Sequence, residues 1–152
     1  MQTTLIREAE APVVTFIHEA APDRSMIQRV SNAGWVKPNG GIWTSPQGST
    51  YGWREWCASE SFGSADAQEF TLTPKPGTRV AVIDSLADLE ALIAFYPSED
   101  IIGKPVLDFE AMARDYDGLW LTEEGQWATR MTTPGLYGFD MECILFFRWV
   151  FA

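Results

Sequence analysis

Several residue types that would point to a familiar chemistry are scarce in this chain. It holds 152 residues and a single histidine, His18, with two cysteines, Cys57 and Cys143, far apart in the sequence. No CxxC pair and no His/Cys cluster at ligand spacing is present, which argues against a zinc centre. Each cysteine lies in an apolar stretch and reads as a buried free thiol. Basic residues are few, 11 against 21 acidic, for a formal net charge of −10. Nothing resembles the basic footprint that a phosphate backbone or an anionic membrane requires, so direct nucleic-acid binding is not expected. Long apolar runs are absent too. The longest, Cys143–Ala152, is broken by Arg148 and too short to span a bilayer. The N-terminus shows no basic start followed by an apolar run, so no export signal is expected, and a reducing cytoplasmic setting fits.

What is present is an ample core. The apolar fraction is 46% and the aromatic fraction 13%, with seven tryptophans. A chain of this length makes one domain, 1–152, that needs no metal or disulfide to fold. The scattered acidic residues serve solubility and a monomeric state, or help the protein meet a basic partner.

Patterning predicts an α+β order. Strands are expected at Val13–His18, Ile42–Ser45, Gln68–Leu72, Arg79–Asp84, Leu119–Thr122 and from about Asp140 to Phe151. Asp23 caps a short helix carrying Met26, Ile27 and Val30 and ending near Gly34. Ser49–Glu60 reads as a helix with Trp53, Trp56 and Cys57 on one face. Ser85 with Asp88 forms a capping-box pattern that opens a helix ending at Tyr96-Pro97. Asp108 caps a helix carrying Phe109, Met112, Ala113 and Tyr116. Ser61–Ala67 and Ser98–Pro105 read as loops, and Glu123–Gly135 as a loop or hairpin.

Four pieces carry possible chemistry. His18 ends the first strand; it reads either as a partly buried residue bonded to nearby backbone or as a ligand-directed donor and acceptor suited to ribose hydroxyls. Gly40-Gly41-Ile42-Trp43-Thr44-Ser45 reads as a glycine turn before a strand, or as a close backbone approach to a ligand with two hydroxyls behind it. The Tyr51, Trp53 and Trp56 rings that follow are a core stripe, or a stack for a flat heterocycle. Tyr116-Asp117-Gly118 joins a helix to a strand. Asp140 and Glu142 are two apart, on one side of an extended strand. They read as two solvated carboxylates, or as a repelling pair of which one has a raised pKa.

In this order the pieces resemble the motif set of the ADP-ribosyltransferase superfamily, and are similar to small phage-encoded members that act as anti-CRISPR proteins. His18 resembles the family's first-strand residue, Thr44-Ser45 its hydroxyl motif, and Asp140-x-Glu142 its acidic motif. The chain departs from the family in having Glu19-Ala20 after the histidine, one serine fewer in the hydroxyl motif, and Asp at the first acidic position. The resemblance implies a mostly antiparallel split sheet with three or four helices holding NAD as substrate. It implies Glu142 and Asp140 as catalytic residues: the first steadies a developing oxocarbenium ion and the 2′-hydroxyl, the second orients the nucleophile. His18, Trp43, Thr44, Ser45 and Tyr51 are the implied NAD-binding residues, with Ser45 holding Glu142 and Trp43 or Tyr51 stacking on nicotinamide. The implied partner is a host protein acceptor, met by the 123–135 segment in the host cytosol. The composition alone supports a different expectation, an acidic, non-enzymatic inhibitor that covers a basic surface of a nucleic-acid-binding partner.

Overall fold

Seven strands form one mixed sheet in the order β1-β5-β8-β9-β3-β2-β4, in a computed structural model that describes residues 5–60 and 66–152. The strands are β1 (Glu8–Glu10), β2 (Val14–His18), β3 (Ile42–Pro46), β4 (Gln68–Leu72), β5 (Arg79–Ile83), β8 (Gly118–Leu121) and β9 (Cys143–Phe146). A separate hairpin pairs β6 (Pro97–Glu99) with β7 (Pro105–Leu107). Among the described residues four helices complete the order: α1 (Trp53–Ser59), α2 (Leu86–Phe95), α3 (Phe109–Met112) and α4 (Glu123–Thr129). All pairings in the large sheet are antiparallel except β5 with β8. The chain is a single α+β domain, as its patterning predicts.

Alternation along the central strands gives the sheet two apolar faces. Ala81, Ile83, Leu119, Leu121, Cys143 and Leu145 point to one side, where Leu89 and Leu92 of α2 and Phe109 and Met112 of α3 pack. Val80, Val82, Ile144 and Phe146 point to the other, where the chain's last residues cover them with Val150 and Phe151. Phe146 and Phe151 meet edge to face with centroids 5.0 Å apart. Ser85 caps α2 through Asp88 N at 3.2 Å, the bond its sequence motif anticipates.

Several expectations are corrected. After Asp23 the chain makes only a 3-10 turn, Arg24–Met26. Glycines at 34, 40 and 41 take positive φ there, and Val30 turns into the core instead of lying on a helix face. α1 starts at Trp53, not Ser49, because Gly52 N is taken by Glu55 Oε2 and Trp53 N by Ser45 Oγ. α3 stops at Met112. The 98–105 loop is the turn of the β6–β7 hairpin with its flanks, held by Asp100, whose Oδ1 accepts from Ile102 N and Lys104 N. The segment 123–135 opens with a helix, capped by Thr122 accepting from Gly125 N at 3.0 Å. The last strand spans four residues, not twelve; Phe147, Val150 and Phe151 are buried without extending the ladder. Of the loop expected at 61–67, residues 61–65 lie outside the described residues. Among the described residues no helix is long and apolar enough to cross a membrane.

Candidate active site

The pairing of β2 decides where space opens. It runs along β4 through five residues, Val14 to His18, but along β3 through only two, Val14↔Pro46 and Thr15↔Ser45. β3 meanwhile stays with β9 through Ile42, Trp43 and Thr44. The sheet therefore splits beyond Thr15. A wedge of about 530 Å³ opens in the split, lined by Phe16 and His18 on one wall, Gly41 and Trp43 on the other, and Trp53 and Cys57 of α1. Gly41 has φ +71, and a Cβ there would sit 2.7 Å from Phe146 O, so the bend at this wall requires glycine.

Lys37 sits over the wedge-lining rings, its Nζ 4.8 Å from the Trp43 centroid and 5.8 Å from Trp53. Trp43 also packs tilted against Phe139. His18 is exposed; its ring stacks on Phe16 at 5.5 Å, and its Nδ1 accepts from Ala20 N at 3.2 Å. Trp53 Nε1 is buried without a hydrogen-bond partner. An orphaned donor of this kind costs about 1–3 kcal/mol.

A second cavity of about 470 Å³ lies beside α1, lined by Tyr51, Trp56, Gln126, Trp127, Asp140 and Glu142, with Glu60, Glu123 and Arg130 also in its wall. Trp53 and Trp56 meet edge to face at 5.6 Å, one lining each cavity. The cavity is acidic and aromatic. Trp127 is 67% exposed, with the Arg130 guanidinium 5.9 Å from its centroid.

Glu142 is the central carboxylate. It is half-buried, and burial pushes its pKa up; the Trp120 indole pulls it down by donating to Oε2 at 3.1 Å, while the Glu123 charge raises it. Its main chain is fixed on both sides: N donates to Tyr51 O at 3.0 Å, and O accepts from Ser45 Oγ at 2.9 Å. Ser45 also accepts from Trp53 N at 2.9 Å, so one hydroxyl ties β3, α1 and the residue ahead of β9 together.

The expected residues therefore fall into three groups. Asp140, Glu142 and Tyr51 share the acidic cleft. Asp140 and Glu142 precede β9, so it is the approach to the strand and not strand alternation that brings them together. His18 and Trp43 share the wedge. Thr44 and Ser45 are buried and bonded within the fold, Thr44 Oγ1 donating to Ile144 O at 2.8 Å. They reach no open space, because the ladder they support has consumed their hydroxyls. Ser45 does hold Glu142, through its carbonyl rather than its carboxylate. Continuing the β3–β9 register two residues past its end would set Glu142 level with Pro46 and Val14, and His18 lies four residues farther along β2. Two strand spacings and four residues separate their main chains by about 16 Å. No small group touches both.

The Trp120 donor, Gln126 and Arg130 were not singled out from the sequence. The Thr122-Glu123-Glu124 start of α4 was their available signal, a hydroxyl cap followed by first-turn acids. Among the described residues no group of three or more His, Cys, Asp or Glu is arranged to hold a metal ion.

No family model matches the chain, and neither a curated protein nor a solved structure matches it.

Proposed function

We propose that this protein is an NAD-dependent ADP-ribosyltransferase whose nicotinamide end occupies the Glu142 cleft and whose adenosine end reaches into the wedge between β2 and β3. One observation carries the reading: a half-buried carboxylate, Glu142, faces an aromatic cleft, and a split of the same sheet opens two strands away. The three strands that bear or adjoin the motifs, β2, β3 and β9, are neighbours.

The charges fit such a ligand. The nicotinamide of NAD is cationic, and Tyr51, Trp56 and Trp127 offer faces to it while Asp140 and Glu142 offset its charge. Lys37 is the cation available to the diphosphate near the wedge. Trp53 lines the wedge, and its indole offers a face there. The separation of His18 from Glu142 suits an extended dinucleotide and excludes a compact nucleoside that touches both.

In the reaction, the bond from ribose C1′ to the nicotinamide nitrogen breaks and its electron pair leaves with nicotinamide, which becomes neutral. Positive charge builds on the ribose, and the Glu142 carboxylate stabilises it and holds the 2′-hydroxyl. The acceptor nucleophile bonds to C1′ and gives its proton to Asp140. The acceptor approaches over the Trp127 rim, where a protein side chain meets Glu60 and Glu123.

The test is release of nicotinamide from NAD by the wild-type protein, with labelled NAD and a host lysate supplying the acceptor. Glu142→Gln should lower the rate roughly a hundredfold to a thousandfold. Wild type that releases no nicotinamide and labels nothing, under conditions where a known transferase works, overturns the proposal.

A second reading has its own observation. Trp127 stands exposed among four carboxylates, a surface suited to a basic side chain of a partner protein. A partner retained at low salt without NAD, and lost steeply as salt rises, would favour an acidic inhibitor.

A further inference from the structure

Three arginines of this acidic chain gather around one cavity. It encloses about 420 Å³ between the turn after Met26, the end of α3 and the segment following β9, and is lined by Arg29, Arg114, Arg148, Glu110, Trp149 and Phe147 among others. The chain carries only 11 basic residues against 21 acidic, and three of the 11 line this one hollow.

Their partners are unequal. Arg148 is committed: it donates to Tyr116 O at 3.0 Å, to Asp117 Oδ1 at 2.6 Å and to Ala113 O. These bonds fix its guanidinium against the end of α3. Arg29 and Arg114 are exposed, and among the described contacts neither guanidinium makes a hydrogen bond or an ion pair. Glu110, the acid in the wall, accepts from Asn32 N at 3.1 Å. Counting it and Asp117 against the three arginines leaves one positive charge in excess, where the chain as a whole is at −10. Two unpaired guanidiniums beside a fixed third offer forked donors matched to phosphate oxygens. Trp149, half-buried and packed edge to face on Phe151 at 5.1 Å, supplies an apolar wall next to them.

We infer that the Arg29–Arg114–Arg148 hollow is a binding site for a phosphate-bearing ligand. It is separate from the Glu142 cleft and independent of the reading made there: Phe147 is five residues beyond Glu142 along the chain, about 16 Å if extended, and the two cavities share no lining residue.

The experiment is a calorimetric titration of the full chain with inorganic phosphate and, separately, with AMP, at low and at physiological salt. Both arms carry the same phosphate chemistry. Tighter binding of AMP assigns a nucleotide-type ligand whose ring lies on Trp149, and equal affinity assigns free phosphate. Binding should be submillimolar at low salt and weaken as salt rises. Arg114→Gln weakens it roughly tenfold, and Arg29→Gln/Arg114→Gln more. Both side chains are exposed, so an unchanged melting curve should show that the variants fold. Binding that is undetectable at millimolar ligand, or equally tight in the double variant, overturns the inference.

Discussion

The Trp120 indole N–H donates to Glu142 Oε2 at 3.1 Å, and this bond opposes the burial that disfavours the charged carboxylate. Trp120 lies on β8 and Glu142 just ahead of β9, so the pairing of those two strands sets the geometry of the cleft's central acid. The bond stabilises the ionised form, which is the form that can face a developing cation.

Removing the donor should therefore raise the Glu142 pKa further. If ionised Glu142 is required, the acid limb of the pH–rate profile in wild type is displaced upward from that of an unperturbed glutamate. Trp120→Phe moves that limb to still higher pH, leaving the rate well above it within about tenfold of wild type. A pH profile of nicotinamide release reads this. An unmoved limb would mean that Glu142 does not control the rate.

The same shift has a consequence for stability. Because the folded pKa is raised above the unfolded one, the folded state binds the proton more tightly, and ionising Glu142 costs stability. That cost is present above the folded pKa and vanishes as pH falls below the unfolded value. Glu142→Gln should thus melt higher than wild type at neutral pH, by a few degrees at most, and equally in strong acid. A melting series across pH checks the sign. A variant less stable at neutral pH contradicts the assignment of burial as the leading cause.

Ser45→Ala removes a hydroxyl that is 1% exposed and makes two bonds, to Glu142 O and from Trp53 N. Leaving those groups unpaired should cost about 1–3 kcal/mol in urea unfolding. Nicotinamide release should fall as well, since the residue ahead of β9 loses its tether. Ser45→Thr keeps the hydroxyl and serves as the rescue. Full activity in Ser45→Ala would show that Glu142 holds its place without it.

The two cysteines should respond differently to a thiol reagent. Cys143 is buried in β9, and its thiol is pushed up to about 12, so it stays protonated and out of reach. Cys57 is half-buried on the wedge, its pKa raised by burial as well. One thiol should react slowly in the native protein at mildly alkaline pH and both in denaturant. A bulky group on Cys57 should also block NAD. Two thiols reacting alike in the native state would contradict the burial of β9.

Where residues alternate or branch at Cβ, as in Val14–His18 and Arg79–Ile83, the pattern in the chain specified the strand. Elements without an apolar stripe were not legible. α4 turns Gly125, Gln126 and Thr129 inward, and Gly125 sits where a Cβ would lie 2.0 Å from Ile83 O. Its buried face is small and polar, so no helical periodicity shows. The apolar run after Phe146 suggested a longer strand, yet the β9 ladder ends there and the residues beyond it cover the sheet, with Phe151 making only an isolated bridge to Pro74. At the site, Asp140 and Glu142 read as a pair through strand alternation; they do line one cavity, although both precede β9. The buried fate of Thr44 and Ser45 was not readable, because a hydroxyl serving a ladder and one serving a ligand look identical in sequence. The Trp120–Glu142 bond joins residues 22 apart, a pairing set by strand register.

The most direct test is a crystal structure of Glu142→Gln grown with NAD. The account predicts one dinucleotide across the two cavities, its nicotinamide ribose within hydrogen-bond reach of residue 142 and its adenosine end between His18 and Trp43. A well-folded variant with NAD seated elsewhere, in the arginine hollow for example, or with both cavities empty at saturating NAD, would contradict it.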